Sequence, residues 1–205
     1  MKAILISIKP KYVAKILNGE KTIEIRKTCP KQLRGDTPIK PEPVDVYIYC
    51  TKGTQLIKYV GDYYATDLFK NLEGQPTTPK LMNGKVVAKF TLNKVEEIKC
   101  NLAMRFFTES ANEKKLLEKS CLDSDQLFWY LAPQELKAKC CGYAWYISNL
   151  EIFDKPKELS EFRKLGKKCE YQGRDTFCDY CSHCDCIGDE LTKAPQSWQF
   201  IEVDE

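Results

Sequence analysis

Residues 1–27 change hydrophobic period twice, and no other feature of the chain constrains the fold as much. "MKAILISI" is a short, nearly continuous apolar run, which at this length reads as a strand. "KPKYVAKILNGEK" then places Tyr12, Val13, Ile16 and Leu17 on one helical stripe, with Lys11 and Lys15 on the opposite face. Pro10 suits the first helical turn and Gly19 the C-terminal cap. "TIEIRK" returns to alternation, with Ile23 and Ile25 on one parity and Thr22, Glu24 and Arg26 on the other. Strict alternation predicts a half-buried strand over Thr22–Lys27. A polar face that was merely solvated could carry any hydrophilic residues. This one sets a carboxylate and a guanidinium two residues apart, just after Lys21.

Four more segments read as strands. "VDVYIYC" alternates Val44, Val46, Ile48 and Cys50 with Asp45, Tyr47 and Tyr49. "GKVVAKFTLNKVEEI" puts Val86, Ala88, Phe90 and Leu92 in register, and "GYAWYISNLEIF" and "QSWQFIEV" follow. Residues 102–139 look helical, with Leu116, Leu117, Leu127, Phe128 and Leu131 at helical spacing and Asp123 or Ser124 as an N-cap. "KPKELSEFRKLG" spaces Leu159, Phe162 and Leu165 three apart, as in a short helix. Residues 54–83, with their glycines and a "TTP" turn, read as an irregular insertion. Six short strands with helices in the connections predict an α+β domain built on a small mixed β-barrel. No Gly-rich turn follows any strand, which argues against an open doubly wound sheet.

Charge narrows the partners. Residues 1–40 hold ten Lys/Arg and three Asp/Glu, 10 − 3 = +7, so with a total of +3 the remainder sums to −4. A basic region on a near-neutral chain suggests an anionic partner, while solubilising lysines would give the same count. No apolar run approaches the ~20 residues of a bilayer span. "AILISI" is too short for a secretory segment, so a cytoplasmic location is expected.

Eleven cysteines in a reducing compartment are poorly explained by disulfides. Cys29, Cys50, Cys100, Cys121, Cys140 and Cys141 are scattered and read as small core hydrophobes. The other five cluster in "CEYQGRDTFCDYCSHCDC". A C-x2-C turn lets two thiolates chelate one ion, and four ligands close a tetrahedral zinc site. Cys178 and Cys181 form the pair, and Cys169 and Cys184 complete the set, with Cys186 as substitute. An iron–sulfur cluster or simple reduced thiols are the alternatives. Residues 169–190 carry six acids and one base, Arg174, so this module would repel a nucleic acid and reads as a structural staple.

Several chemistries are excluded. There is no GxxxxGK[ST] and no GxGxxG, and His183, the one histidine, lies inside the cysteine cluster. No free imidazole is left for a Ser-His-Asp or Cys-His arrangement, so an enzyme here would use lysine and carboxylate.

"LISIKPKYVAKILNGEKTIEIRK", "VYIYCTKG", "GKVVAKFTL" and "GYAWYISNLEIFDKPKELSEF" together resemble the ASCH domain of the PUA-like superfamily. "APQSWQFIEV" resembles the last strand of phage and bacterial members that carry a Cys-rich insert. The resemblance implies one domain over residues 1–205, with insertions at 54–83 and 102–139 and a zinc-knuckle-like module at 167–190. It also implies a small β-barrel with a cleft lined by Lys21, Glu24 and Arg26, and binding of RNA or a modified base there. Some ASCH proteins hydrolyse N4-acetylcytidine with a Lys, a Thr and a Glu, in a K-T-x-T segment; here Glu24 stands where that branch has its second threonine.

Two functions follow. In the first, the chain binds RNA, a nucleotide or a modified nucleoside: Arg26 holds a phosphate or base edge, and Glu24 accepts from an exocyclic amine. Thr22 lies beside them, Lys9, Lys11 and Lys15 contact the backbone, and Trp145 or Trp198 stacks a base. In the second, an amidohydrolase of acylated cytidines or a ribonuclease, Lys21 and Glu24 are catalytic. A purely structural Lys21–Glu24–Arg26 ion-pair network is the third possibility, as is core packing for Trp145.

Overall fold

The computed structural model describes residues 1–33, 42–53, 55–60, 63–68, 82–100, 111–132, 140–166 and 188–203. Strand β1 (Lys2–Ile8) leads into helix α1 (Pro10–Leu17) and then β2 (Ile23–Arg26). β3 (Val44–Cys50) is followed by the hairpin β4 (Gln55–Val60) and β5 (Tyr63–Leu68). The long strand β6 (Val86–Cys100), helices α2 (Ala111–Ser120) and α3 (Ser124–Leu131), and the long strand β7 (Cys140–Lys157) come next. β8 (Arg163–Lys164) and β9 (Trp198–Glu202) finish the described chain.

α1 forms where the sequence places it. Pro10 sits at the first helical positions, and Val13, Ile16 and Leu17 are buried, with Tyr12 half-buried beside them. Gly19 adopts φ +75°, the left-handed cap conformation that glycine takes without a Cβ penalty. That cap turns the chain sharply, so Lys21 N–H donates back to the Lys15 carbonyl at 3.0 Å.

Seven strands form one mixed sheet in the order β2-β7-β6-β3-β1-β9-β8, in which only the β1–β3 pair is parallel. The expected barrel is not closed: β2 and β8 are the sheet's two edges. The sheet curls until side chains bridge the remaining gap. Arg26 on β2 donates through Nη2 to the Ser7 carbonyl of β1 at 2.6 Å, and Trp198 Nε1 donates to Thr28 Oγ1 at 3.0 Å. β2 has only four residues, and just before it Thr22 donates its N–H to the Lys119 carbonyl of α2 while its carbonyl accepts from Ile147 N–H of β7.

The core lies on both sides of the sheet. One cluster fills the curl, with Ile4, Ile6, Ile16, Ile48, Phe90 and Trp145 in it. A second, around Leu5, Tyr47, Tyr49, Phe162 and Ile201, covers the other face. A third packs α2 and α3 on Ile23, Ile25, Ile98 and Ala144. Cys29 and Cys50 are buried as the sequence suggests, and burial pushes the Cys50 thiol up to about 12, which keeps it a neutral packing group. Cys121 is half-buried in a left-handed turn at φ 53°, and Cys100, Cys140 and Cys141 lie at the paired ends of β6 and β7.

Three expectations change. Residues 54–83 are not wholly irregular: β4 and β5 form a two-stranded sheet, docked where Asn18 Oδ1 and Nδ2 pair with the Tyr64 backbone at 2.8 and 2.9 Å. β7 is longer than the segment read for it, running 18 residues with bulged pairing to the long β6. The helix expected around Leu159, Phe162 and Leu165 is one 3₁₀ turn, Leu159–Glu161, followed by β8. Phe162 is buried there but Leu165 is 45% exposed, so their spacing does not define one face.

Candidate functional site

β2 is buried on both faces, and this changes the meaning of its alternation. Ile23 and Ile25 pack under the helices, while Glu24 and Arg26 point into the curl with only 7% and 6% of their surface exposed. Polar groups at that depth need partners, because burying an unpaired charge is costly.

Lys21, 2% exposed, supplies the first partner. Its Nζ lies 3.2 Å from Glu24 Oε2 and donates to the Ile23 carbonyl at 2.8 Å and the Ser120 carbonyl at 2.7 Å. An ammonium has three donors, and three acceptors surround this one. Ser120 ends α2, so Lys21 caps a helix C-terminus, where orphan carbonyls and the helix dipole favour a cation. Arg26 supplies the second partner, with Nε 3.1 Å from Glu24 Oε1. Each Glu24 oxygen therefore faces one cation. The Arg26 Nε–H is not directed well enough at that oxygen to count as a hydrogen bond, and Nη1 reaches Ser197 only at 3.4–3.5 Å. The guanidinium is held firmly at Nη2 and loosely elsewhere.

Trp145 stands opposite Glu24 in the β2–β7 pairing, so the two side chains share a face. Its ring is fully buried and tilts against Trp198 at 5.9 Å between centroids. No ring face of Trp145 is in solvent. Trp145 Nε1 and Thr22 Oγ1 are buried without a hydrogen-bond partner.

The rim is aromatic and basic. The Tyr12 ring lies 4.6 Å from Lys11 Nζ and 5.4 Å from Lys21 Nζ, linking the lysine face of α1 to the buried triad. Tyr130, from α3, interacts electrostatically with Arg26, Glu24 and Tyr12. Burial holds its hydroxyl above the usual tyrosine range; the Arg26 guanidinium pulls it down, and Glu24 and Tyr12 push it up. Lys27 Nζ is 5.6 Å from the Tyr130 ring. Lys9 and Lys11 are exposed and Lys15 is half-buried.

The sequence brought Lys21, Thr22, Glu24 and Arg26 to attention; the structure joins Lys21, Glu24 and Arg26 in one ion-paired cluster, and Thr22 adjoins it only along the chain, its hydroxyl buried without a partner. The sequence misses Ser120 and Tyr130, which come from residues 102–139. Ser120 contributes a backbone carbonyl, which leaves no side-chain signal. Tyr130 belongs to a helix whose apolar stripe explains only Leu127 and Leu131. Cys169, Cys178, Cys181, Cys184 and Cys186 lie outside the described residues; among the described ones no cluster of metal-ligating side chains occurs.

Residues 6–157 match the family model of the ASCH domain. A crystal structure of ASCH from Zymomonas mobilis is similar at 13% identity, covering 77% of this chain and 73% of that one with a TM-score of 0.44. Two structures of substituted forms of that protein give 14% identity over 77% and 74% with a TM-score of 0.44, and 13% over 78% and 77% with 0.37. No curated protein matches the chain.

Proposed function

The chain belongs to the ASCH domain family, a family associated with RNA binding, and from that premise we propose that it recognises RNA or a modified nucleoside through Glu24 and Arg26. The observation that carries this reading is the placement of a buried carboxylate–guanidinium pair beneath a rim of Tyr12, Tyr130, Lys11 and Lys27. A carboxylate accepts from an exocyclic amine and a guanidinium donates to a ring nitrogen, carbonyl or phosphate, which suits a cytosine-like edge. Lys9, Lys11 and Lys15 would meet the phosphate backbone. Recognition is favoured over hydrolysis because Lys21, the base in a lysine–carboxylate mechanism, has its three donors directed at Glu24 and at the Ile23 and Ser120 carbonyls.

Titration of the protein with short single-stranded RNAs and with cytidine tests this. Arg26→Ala is expected to weaken binding about 10- to 100-fold, the scale of a charge-assisted hydrogen bond lost without replacement. Arg26→Lys keeps the charge and serves as the control for folding. RNA affinity should fall as salt rises, with a log–log slope near −0.7 for each phosphate contacted. Unchanged affinity in Arg26→Ala would remove Arg26 from the site.

The cysteine cluster is proposed to hold structural zinc through Cys169, Cys178, Cys181 and Cys184, with Cys186 as substitute. The chain enters and leaves that segment side by side, since Lys164 N–H donates to the Asp189 carbonyl at 2.9 Å and Arg163 bridges to Glu190. Metal analysis of purified protein should find about one zinc per chain, lost on Cys178→Ser with Cys181→Ser. Metal-free protein with an unchanged thermal midpoint would dispose of the zinc.

A further inference from the structure

α3 carries two exposed aromatic residues, of which Tyr130 interacts with Glu24 and Arg26 of the site. Trp129 is 72% exposed and Tyr130 39% exposed. Among the described residues only two other large hydrophobic side chains are exposed, Met1 and Leu165. Isolated exposed hydrophobics are ordinary, but two adjacent aromatics beside a buried polar pair form a feature. Their position is fixed by packing. Leu127 and Leu131 bury the face of α3 opposite Trp129, with Tyr130 on its flank, and Leu131 sits against Gly142 so closely that a Cβ there would collide with it. The same added Cβ would lie 3.1 Å from the Arg26 carbonyl, so the glycine lets the end of α3 close down on β2. Trp129 is further braced edge-on by Phe128 at 5.5 Å.

Lys27, the residue after Arg26, is exposed and lies 5.6 Å from the Tyr130 ring. Aromatic faces beside an exposed cation match the chemistry of a single strand, whose bases stack and whose phosphates seek positive charge. Asp125 lies one turn before Trp129 on α3, so the cation available to a phosphate is Lys27, on the Tyr130 side.

We propose that Trp129 and Tyr130 form a stacking platform, with Lys27 as its phosphate contact, for nucleotides adjoining the one held by Glu24 and Arg26. This rests on the recognition reading above and extends it: the ligand is a single strand and not a lone nucleoside. Any base can stack, so the platform adds affinity without sequence preference, while Glu24 and Arg26 select the base. A duplex is a poor ligand because its bases are already stacked on one another.

The test compares a labelled single-stranded RNA of about eight nucleotides, its duplex, and cytidine 5′-monophosphate. Trp129→Ala is expected to weaken the single strand roughly 5- to 100-fold, the loss of one base–aromatic stack, and to leave the mononucleotide unchanged. Trp129→Phe should restore most of the affinity, and Arg26→Ala should weaken both ligands. Because Trp129 is exposed, the thermal midpoint of its variants serves as a folding control. If Trp129→Ala leaves the single strand unaffected while Arg26→Ala weakens both ligands, the platform is overturned and the inner site stands. If the native protein binds neither ligand, both readings fall together. A Trp129→Ala variant that turns a dimer into a monomer with unaltered RNA affinity would overturn the proposal in favour of self-association.

Discussion

Glu24→Ala is expected to lower the stability of the fold by about 3–5 kcal/mol, the range for removing one partner of a buried ion pair. Glu24 stands between Lys21 and Arg26, and its side chain is only 9% exposed. Deleting the carboxylate leaves two cations that water cannot reach. For a domain of this size the thermal midpoint should fall by roughly 6–20 °C. A companion variant separates stability from function. Replacing the triad together, Lys21→Met with Glu24→Leu and Arg26→Met, removes the charges and their desolvation cost at once, and such replacements are often neutral or stabilising. That variant also loses the Lys21 cap on Ser120 and the Arg26 bridge to Ser7, so it should recover most of the stability without exceeding the native value. It should bind no RNA or nucleoside. Denaturant titration and ligand binding read the two effects independently. If the apolar triad bound RNA as the native protein does, the network would be structural and the ligand site would lie elsewhere.

Trp145 carries the second large effect. Trp145→Ala should cost about 3–5 kcal/mol, because a fully buried indole leaves a cavity that the surrounding strands fill poorly. Trp145→Phe should cost less than about 1.5 kcal/mol, since it keeps the aromatic packing and removes an N–H that has no partner. Urea unfolding of the two variants makes the comparison. If Phe cost as much as Ala, the indole N–H would have to be engaged in the folded protein. A Phe variant of native stability that binds its ligand more weakly would instead assign that N–H to the ligand.

Much of the fold was legible from local pattern. The order β1, α1, β2 follows from periodicity in residues 1–27, with Pro10 and Gly19 marking the ends of α1. Asp123 caps α3 as expected, accepting from Gln126 N–H at 2.7 Å. β3 alternates as read, although both its faces are buried towards its C-terminal end, because the second cluster covers Tyr47 and Tyr49. The hairpin β4–β5 had no clean alternation to reveal it, and Asn18, at the end of α1, ties it down through a non-local contact. The apparent helix at Leu159–Leu165 shows the limit of spacing: intervals of three fit a single 3₁₀ turn as well, and the surroundings buried only part of the set.

Local pattern is enough to say which residues share a face, because the periods of strand and helix are fixed by backbone geometry. It thereby put Glu24 and Arg26 together, one turn of chain after Lys21. What covers that face depends on packing between segments far apart in the chain. The sheet curls far enough for Arg26 to reach Ser7 across its open seam, and α2 and α3 bring the Ser120 carbonyl and Tyr130 from about a hundred residues away. Alternation reports the direction of a side chain and not the environment it meets. A strand that reads as half-solvated therefore became one whose polar face is buried, paired and set beneath an aromatic rim.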